Sequence, residues 1–203
     1  MGKIKVAKKD TFIDMTAMSD VTVLLLTFFM LTSTFVKKEP VKVVTPSSVS
    51  EIKVPEKDVL SILVDKTGKV FMGLDTQGAM DGVLGDMADK FGQSFSNEQR
   101  VAFIKSQTFG APMDVLGQFL SLDEKDRDAE LKNLGIPMDS IDGGHSEFQE
   151  WVLACRAFNR DIKVAIKADS NTPYSVINRV MTQLQDIREN RYYLLTSLKK
   201  VED

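Results

Sequence analysis

A single carboxylate stands inside the most apolar stretch of this 203-residue chain. The stretch, AMSDVTVLLLTFFMLTSTFV, runs over residues 17–36, and its one charged residue is Asp20. In an apolar environment the charged form of a carboxyl group is penalised, and ionisable groups there usually face protein or water. Such a group can take up and release a proton, and its helix then fits its surroundings differently in the two states. The sequence therefore leads to the hypothesis that Asp20 carries protons.

Hydroxyl side chains recur along one side of the same segment. Thr16 precedes Asp20 by four residues, and Thr27 and Thr34 follow it at successive steps of seven. Because seven residues are nearly two helical turns, these side chains share a face. Hydroxyl groups are also common where helices pack together in membranes. The pattern therefore indicates that this face contacts protein, and it leaves open whether the threonines line a proton route or pack against another helix. Asp14 stands just before the segment and is a candidate capping or entry carboxylate.

The apolar segment has the length of a membrane span. A helix of its 20 residues covers about 30 Å, which is the thickness of a bilayer's hydrocarbon core. Lys37 and Lys38 follow directly, without an A-x-A-like cleavage site, so a retained anchor is predicted rather than a secretory signal peptide. Lysines flank both ends of the span, and those on the N-terminal side tip the positive-inside rule towards a cytoplasmic N-terminus.

Composition argues against several classes of function. The net charge of −3 requires no large basic surface, so nucleic acid is not a predicted partner. The one cysteine, Cys155, lies in WVLACRAF and is predicted to be a small buried residue of a helix. The one histidine, His145, follows Asp139 and Asp142 in a glycine-rich stretch that is more typical of a solvated loop than of a metal site. No catalytic, cofactor-binding or metal site is predicted.

The patterning divides the chain into four parts that position these residues. A polar tail over 1–11 is followed by the span over 12–36, a proline-containing linker over 37–56 and a domain over 57–203. The domain opens with VLSILVDKTGKVFMG, which predicts a hairpin, and its last third alternates strand and helix patterns. Between them, residues 76–144 predict a helical insertion of three or four short helices. The predicted fold class is α+β, with one N-terminal transmembrane helix followed by a small α/β sandwich domain with a helical insertion.

The N-terminal segment resembles the signature of the ExbD/TolR family. FIDMTAMSDVTVLLLTFFMLTSTFV is similar to the family's I-N-x-x-P pattern, which is followed by two hydrophobic residues and an aspartate and leads into one transmembrane helix. Asp20 occupies the position of the family's membrane aspartate. Three positions depart from the pattern, because Asp14 replaces the usual asparagine, Ala17 replaces a common proline and Ser19 is more polar than the usual residue.

The C-terminal part of the chain resembles the same family. The stretch DIKVAIKADSNTPYSVINRVMTQLQDIRENRYYLLTSL is similar to the family's unit of a strand, an aspartate-containing turn, a helix and a final strand. Ala168, Asp169 and Tyr174 match its A-D-x-x-x-x-Y pattern. The aspartate is predicted to shape the turn or cap the helix. Together with the opening hairpin VLSILVDKTGKVFMG, the resemblance covers roughly half of the chain and leaves the predicted insertion without a counterpart.

The resemblance implies a function and a set of partners. It implies the ExbD-like subunit of an inner-membrane motor driven by the proton motive force, with Asp20 as the proton-carrying residue and no enzymatic activity. In the family, two copies of this subunit sit in the pore of a polytopic ring partner of the ExbB/TolQ type, which implies a homodimer. The energy reaches a TonB- or TolA-like transducer, and the C-terminal domain is periplasmic.

Two alternatives to TonB-dependent transport across the outer membrane remain open. One is a TolR-like subunit that maintains envelope integrity. The other is a membrane-tethered periplasmic module that binds a cell-wall polymer such as peptidoglycan and in which Asp20 is passive.

Overall fold

The computed structural model describes residues 15–33, 41, 43–48, 58–106, 108–141, 143–195 and 197–198. The helices among them are α1 (Met15–Thr32), α2 (Gln77–Phe91), α3 (Asn97–Ser106), α4 (Met113–Leu120), α5 (Glu124–Leu131), α6 (Glu147–Phe158) and α7 (Tyr174–Asp186). The strands are β1 (Ser47–Ser48), β2 (Val59–Val64), β3 (Val70–Leu74), β4 (Thr108–Phe109), β5 (Lys163–Ala168), β6 (Tyr192–Leu194) and β7 (Ser197–Leu198). The chain forms two compact units, residues 1–38 and residues 39–203.

In the N-terminal unit, α1 is apolar over most of its surface. Its 18 residues have a mean hydropathy of 1.6, and none of its side chains is buried. A helix of that length is about 27 Å long. In water this helix would expose a continuous surface of leucine, valine, phenylalanine and methionine side chains, which soluble proteins avoid. The helix is therefore long and apolar enough to cross a membrane.

The C-terminal unit is organised by a five-stranded mixed sheet with the order β4-β3-β2-β5-β6. Strand β2 pairs antiparallel with β3 and parallel with β5, while β6 pairs parallel with β5. A parallel pair needs a crossover connection, and α7 provides one between β5 and β6. The mixed helix-and-sheet architecture confirms the predicted fold class.

The predicted hairpin is confirmed by the pairing of β2 with β3. Between the strands, the Asp65 carboxylate accepts hydrogen bonds from the backbone N–H groups of Thr67 at 2.8 Å and Lys69 at 2.9 Å. Gly68 has φ +85°, a left-handed conformation that glycine adopts without a steric penalty. The turn chemistry is thus local, which explains why it could be predicted from the sequence.

One face of the sheet is apolar and is covered by helices. Registered partners point to the same face of a sheet, and alternate residues along a strand do so as well. The buried residues that share this face are Leu60, Ile62, Val64, Met72, Val164 and Ile166. Phe109 pairs with Met72, and its ring lies 4.6 Å, centroid to centroid, from that of Trp151 in α6. Helix α6 therefore lies over this face.

The predicted helical insertion contributes to the core. Residues 76–144 contain α2, α3, α4, α5 and β4, so four helices lie among the described residues of this range. Met80, Leu84 and Met87 of α2 are fully buried, and α2 packs against α6. The ring of Phe103 in α3 stacks on Trp151 with centroids 5.9 Å apart. These helices are part of the folded unit rather than surface additions; that they are an insertion relative to the family remains a prediction.

Part of the predicted linker over 37–56 is packed. Val41 and Val43 are buried in the core, and β1 pairs parallel with β7. The backbone carbonyl of Val44 also accepts a hydrogen bond from the N–H of Ser170 at 2.8 Å. The alternating valines of this segment therefore bury apolar surface against residues near the C-terminal end of β5.

Candidate functional site

Asp20 is the one charged residue of α1 and lies nearer to its N-terminal end. At 1.5 Å per residue, it is roughly 7.5 Å along the axis from Met15 and roughly 18 Å from Thr32. Its side chain is exposed on the isolated helix. The carboxyl group therefore lies nearer to one end of the described helix than to the other.

The spacing along α1 limits which groups can exchange a proton directly. Thr16 lies about 6 Å along the axis from Asp20, and Thr27 lies about 10.5 Å away. A hydrogen bond between oxygen atoms needs a separation of roughly 3 Å. Asp20 and Thr27 therefore share a face of the helix without being able to bond to each other, and a route between them requires water or a neighbouring helix.

The hydroxyl of Thr27 is already engaged within its own helix. It donates to the backbone carbonyls of Val23 at 3.0 Å and Leu24 at 2.9 Å, which are alternative or shared acceptors for one hydrogen. Thr22 and Thr32, which lie on other faces of α1, donate to carbonyls one turn earlier in the same way. Threonine commonly satisfies its donor by this bond in apolar surroundings. Thr27 can still accept a hydrogen bond, but its geometry does not set it apart from the other two threonines.

The structure places three of the predicted site residues on one face of α1: Thr16, Asp20 and Thr27. The other two candidates, Asp14 and Thr34, lie outside the described residues. Their suggested parts in helix entry, proton transfer or packing therefore stay predictions, as does the proton-carrying role of Asp20.

In the C-terminal unit, Asp169 links the turn after β5 to the segment that precedes β1. Its buried carboxylate accepts hydrogen bonds from the backbone N–H groups of Asn171 and Val44, each at 3.0 Å. These two donors hold the pKa of Asp169 below its usual value, because they stabilise the charged form. The side chain thus shapes the turn, whereas Pro173 stands at the N-cap of α7 without a side-chain cap.

A second carboxylate, Glu147, is buried at the start of α6 and is 5% exposed. Its Oε1 accepts hydrogen bonds from the backbone N–H of Met113 at 3.0 Å and from the indole N–H of Trp151 at 3.4 Å. The pKa of Glu147 is raised to about 7. Burial is the largest cause of the increase, and the nearby charge of Asp114 adds to it, whereas the two hydrogen bonds lower the pKa by less than burial raises it. Glu147 is therefore a group that can change charge near neutral pH inside the folded unit.

His145 takes part in a surface network, and Asp142 of the glycine-rich stretch lies outside the described residues. Its Nδ1 lies 2.9 Å from Oε1 of Glu150, and the Lys90 ammonium donates to Oε2 of the same carboxylate at 2.6 Å. Asp139 pairs instead with Arg179, at 2.6 Å. Among the residues that the structure describes, no three histidine, cysteine or acidic side chains form a group that could hold a metal ion.

Sequence reasoning missed Glu147 and also the packing that buries it. The one signal available is the capping box, in which Ser146 and Gln149 exchange hydrogen bonds at the start of α6. That pattern locates the helix start and therefore places Glu147 in the first turn. It does not indicate burial, because α4 covers Glu147 from a distant part of the sequence. Cys155, in contrast, is buried as predicted.

The comparison with protein families agrees with the geometry of α1 and with the mixed fold. The model of the family described as biopolymer transport protein ExbD/TolR matches residues 7–199, which is nearly the whole chain. The chain therefore belongs to the ExbD/TolR family of biopolymer transport proteins. Members of this family are transport-associated proteins that work with partners in membrane complexes, and one N-terminal apolar helix fits a single-pass membrane protein of this kind. No curated protein and no solved structure matches the chain.

Proposed function

We propose that the chain is the ExbD-like subunit of an inner-membrane motor that is driven by the proton motive force. The observation that carries the proposal is Asp20, the one charged group on an otherwise apolar helix in a chain of the ExbD/TolR family. A carboxyl group in such a place is expensive unless it faces protein or water and has a function.

The proposed mechanism uses the two charge states of Asp20. In the neutral state the α1 surface is apolar and fits a dry contact with neighbouring helices. In the charged state the carboxylate requires water, a hydroxyl group or a cation nearby. Proton uptake from one side of the membrane and release to the other would therefore alternate the preferred position of α1, and this alternation is the motion that the motor transmits.

The rest of the assembly is proposed from the same family membership. A polytopic ring partner of the ExbB/TolQ type would surround two copies of α1, since an exposed apolar helix with one carboxylate needs a protein neighbour. The N-terminus would be cytoplasmic and the C-terminal unit periplasmic. That unit would pass the motion to a TonB-like transducer, which energises transport across the outer membrane.

The first experiment is Asp20→Asn in the full chain, co-expressed with the ring partner. Asparagine keeps the size and polarity of the side chain but cannot exchange a proton. We expect the complex to be recovered in normal yield while proton-driven function is lost. Asp20→Glu is the matched control, since it retains a carboxyl group and should retain part of the activity. Full activity of Asp20→Asn would instead support the tethered periplasmic module.

Substitutions of Thr27 separate the proton route from packing. Thr27→Val has nearly the same shape and removes the hydroxyl, whereas Thr27→Ser keeps it. A loss of proton-driven function in the valine variant but not in the serine variant would assign Thr27 to the route. Normal function of the valine variant would assign it to packing.

The downstream system is tested by complementation. We expect the chain and its ring partner to restore TonB-dependent uptake in cells that lack the ExbD-type subunit. Restored envelope integrity in cells that lack the TolR-type subunit, without restored uptake, would favour the alternative TolR-like role.

A further inference from the structure

An open pocket of about 720 Å³ lies in the C-terminal unit, beside the end of α6 and the segment that joins α7 to β6. Four arginines line it: Arg156, Arg160, Arg188 and Arg191. The one acidic residue of the lining is Glu189. None of these residues belongs to α1 or to the polar networks around Asp169 and Glu147.

One of the four arginines has a structural role. The guanidinium of Arg156 forms an ion pair with Glu189 and donates hydrogen bonds to the backbone carbonyls of Arg160 and Ile162. Both carbonyls lie in the connection between the end of α6 and β5, so Arg156 ties this connection to the helix. Its charge is therefore compensated within the fold.

The other three arginines are not compensated in this way. The exposed side chains of Arg160, Arg188 and Arg191 make no hydrogen bond or ion pair with any residue that the structure describes. After the pairing of Arg156 with Glu189, three positive charges remain around the pocket. Like charges at close range repel one another, so the arrangement would be stabilised by an anion.

The backbone at Arg188 has a left-handed conformation. Arg188 has φ +64°, and it follows the C-cap of α7. The N–H of Arg188 bonds to the carbonyl of Gln185 and the N–H of Glu189 to that of Leu184, each at 2.8 Å. This is a Schellman motif, in which the left-handed position is usually a glycine. An arginine at this position costs conformational free energy, and such strain is typical of functional sites.

We propose that Arg160, Arg188 and Arg191 form a binding site for a phosphate monoester group. Guanidinium groups are suited to phosphate because their planar donors match its oxygen atoms. A phosphate monoester carries nearly two negative charges and three acceptor oxygens, whereas a carboxylate carries one charge and two oxygens. Three uncompensated arginines therefore fit the phosphate better. The site is independent of proton transfer by Asp20.

Arginine modification tests the proposal on the full chain in a neutral detergent. The rate of phenylglyoxal reaction at each arginine is measured by mass spectrometry in inorganic phosphate and in acetate of equal ionic strength. We expect phosphate to protect Arg160, Arg188 and Arg191 while leaving Arg100, outside the pocket, unchanged. Equal protection of all four residues, or equal protection by acetate, would overturn the proposal.

Two variants and a control distinguish loss of the site from loss of the fold. Arg188→Gly should raise the Tm, because glycine relaxes the left-handed position, and should weaken phosphate binding by roughly tenfold or more, as expected for one charge-assisted contact. Arg191→Gln should weaken binding to a similar extent at an unchanged Tm. Arg100→Gln removes the same charge outside the pocket and should bind as the parent does. The proposal is wrong if both pocket variants bind phosphate normally or if the control binds as weakly as they do.

The same modification assay separates two sources of the phosphate group. The full chain is placed in nanodiscs of phosphatidylcholine, with or without phosphatidic acid. Protection of the three arginines in discs with phosphatidic acid would identify a lipid headgroup, and protection by inorganic phosphate alone would identify a soluble ligand. Protection by neither probe would overturn the proposal.

Discussion

The buried carboxyl group of Glu147 makes the stability of the C-terminal unit depend on pH in an unusual direction. Its pKa in the folded state is about 7, compared with 4.5 for the exposed group. The folded state therefore holds this proton more tightly than the unfolded state. Stability from this group is fully present below pH 4.5 and is lost as the pH rises towards 7. This difference between the folded and unfolded pKa values corresponds to about 3 kcal/mol of unfolding free energy at most.

Glu147→Gln removes this titration and keeps an oxygen that can accept from Met113 and Trp151. The free energy of unfolding is measured by urea titration at several pH values between 4.5 and 7.5. Trp151 is the one tryptophan and is fully buried, so its fluorescence reports on this unit. We expect the parent to lose up to about 3 kcal/mol relative to the variant over this range. The test is the change of stability with pH and not the stability of the variant itself, because a buried glutamine NH2 group without a partner would lower stability at every pH.

Glu150→Gln on the same helix is a control with the opposite sign. Partial burial raises the pKa of Glu150, but hydrogen bonds from Lys90 and His145 outweigh it, so that the net effect is a lowered pKa. The stabilising contribution of Glu150 is present above pH 4.5 and is lost as the pH falls below 4.5 towards its folded pKa. Titration of Glu150 itself should therefore destabilise the parent relative to Glu150→Gln as the pH falls below 4.5, in the opposite direction to Glu147. A constant difference between parent and Glu147→Gln at every pH would refute the argument for Glu147.

Two further predictions concern close packing and the turn after β5. Gly110→Ala should destabilise the unit by about 1–3 kcal/mol, because the added Cβ would overlap Cδ1 of the buried Phe71 ring. Gly85→Ala has open space and should stabilise α2 by up to about 1 kcal/mol; urea unfolding measures both, and equal effects would contradict the steric reasoning. Asp169→Asn should lower the Tm at neutral pH, because one carboxylate oxygen that accepts a backbone N–H is replaced by a donor. The folded pKa of Asp169 is below 3.8, so the Tm difference between parent and variant should shrink as the pH falls below 3.8 and the carboxylate becomes protonated. A Tm difference that persists in acid would show that the negative charge of Asp169 is not its cause.

Several features could be predicted because their causes lie within a few residues of sequence. The apolar run of α1, the position of Asp20 in it and the shared face of Thr16 and Thr27 follow from composition and helical period alone. The turn from Asp65 to Lys69 follows from side-chain bonds to nearby backbone groups. The helical period also places Val180 and Leu184 on one face of α7, and both are buried.

Other features depend on contacts between distant parts of the chain. Glu147 is buried because α4 places the N–H of Met113 over it, and the valines at 41 and 43 are buried because Asp169 and Ser170 hold their segment. Arg156 in α6 and Arg160 just after it meet the arginines after α7 only when β5 and β6 pair in parallel. Local patterns indicate which face of an element is apolar, so the sequence by itself determined the apolar N-terminal helix, the hairpin and the positions of the other helices. Which elements meet depends on packing and pairing summed over the whole unit, so the tertiary structure alone decided the buried carboxylate, the packed linker and the basic pocket.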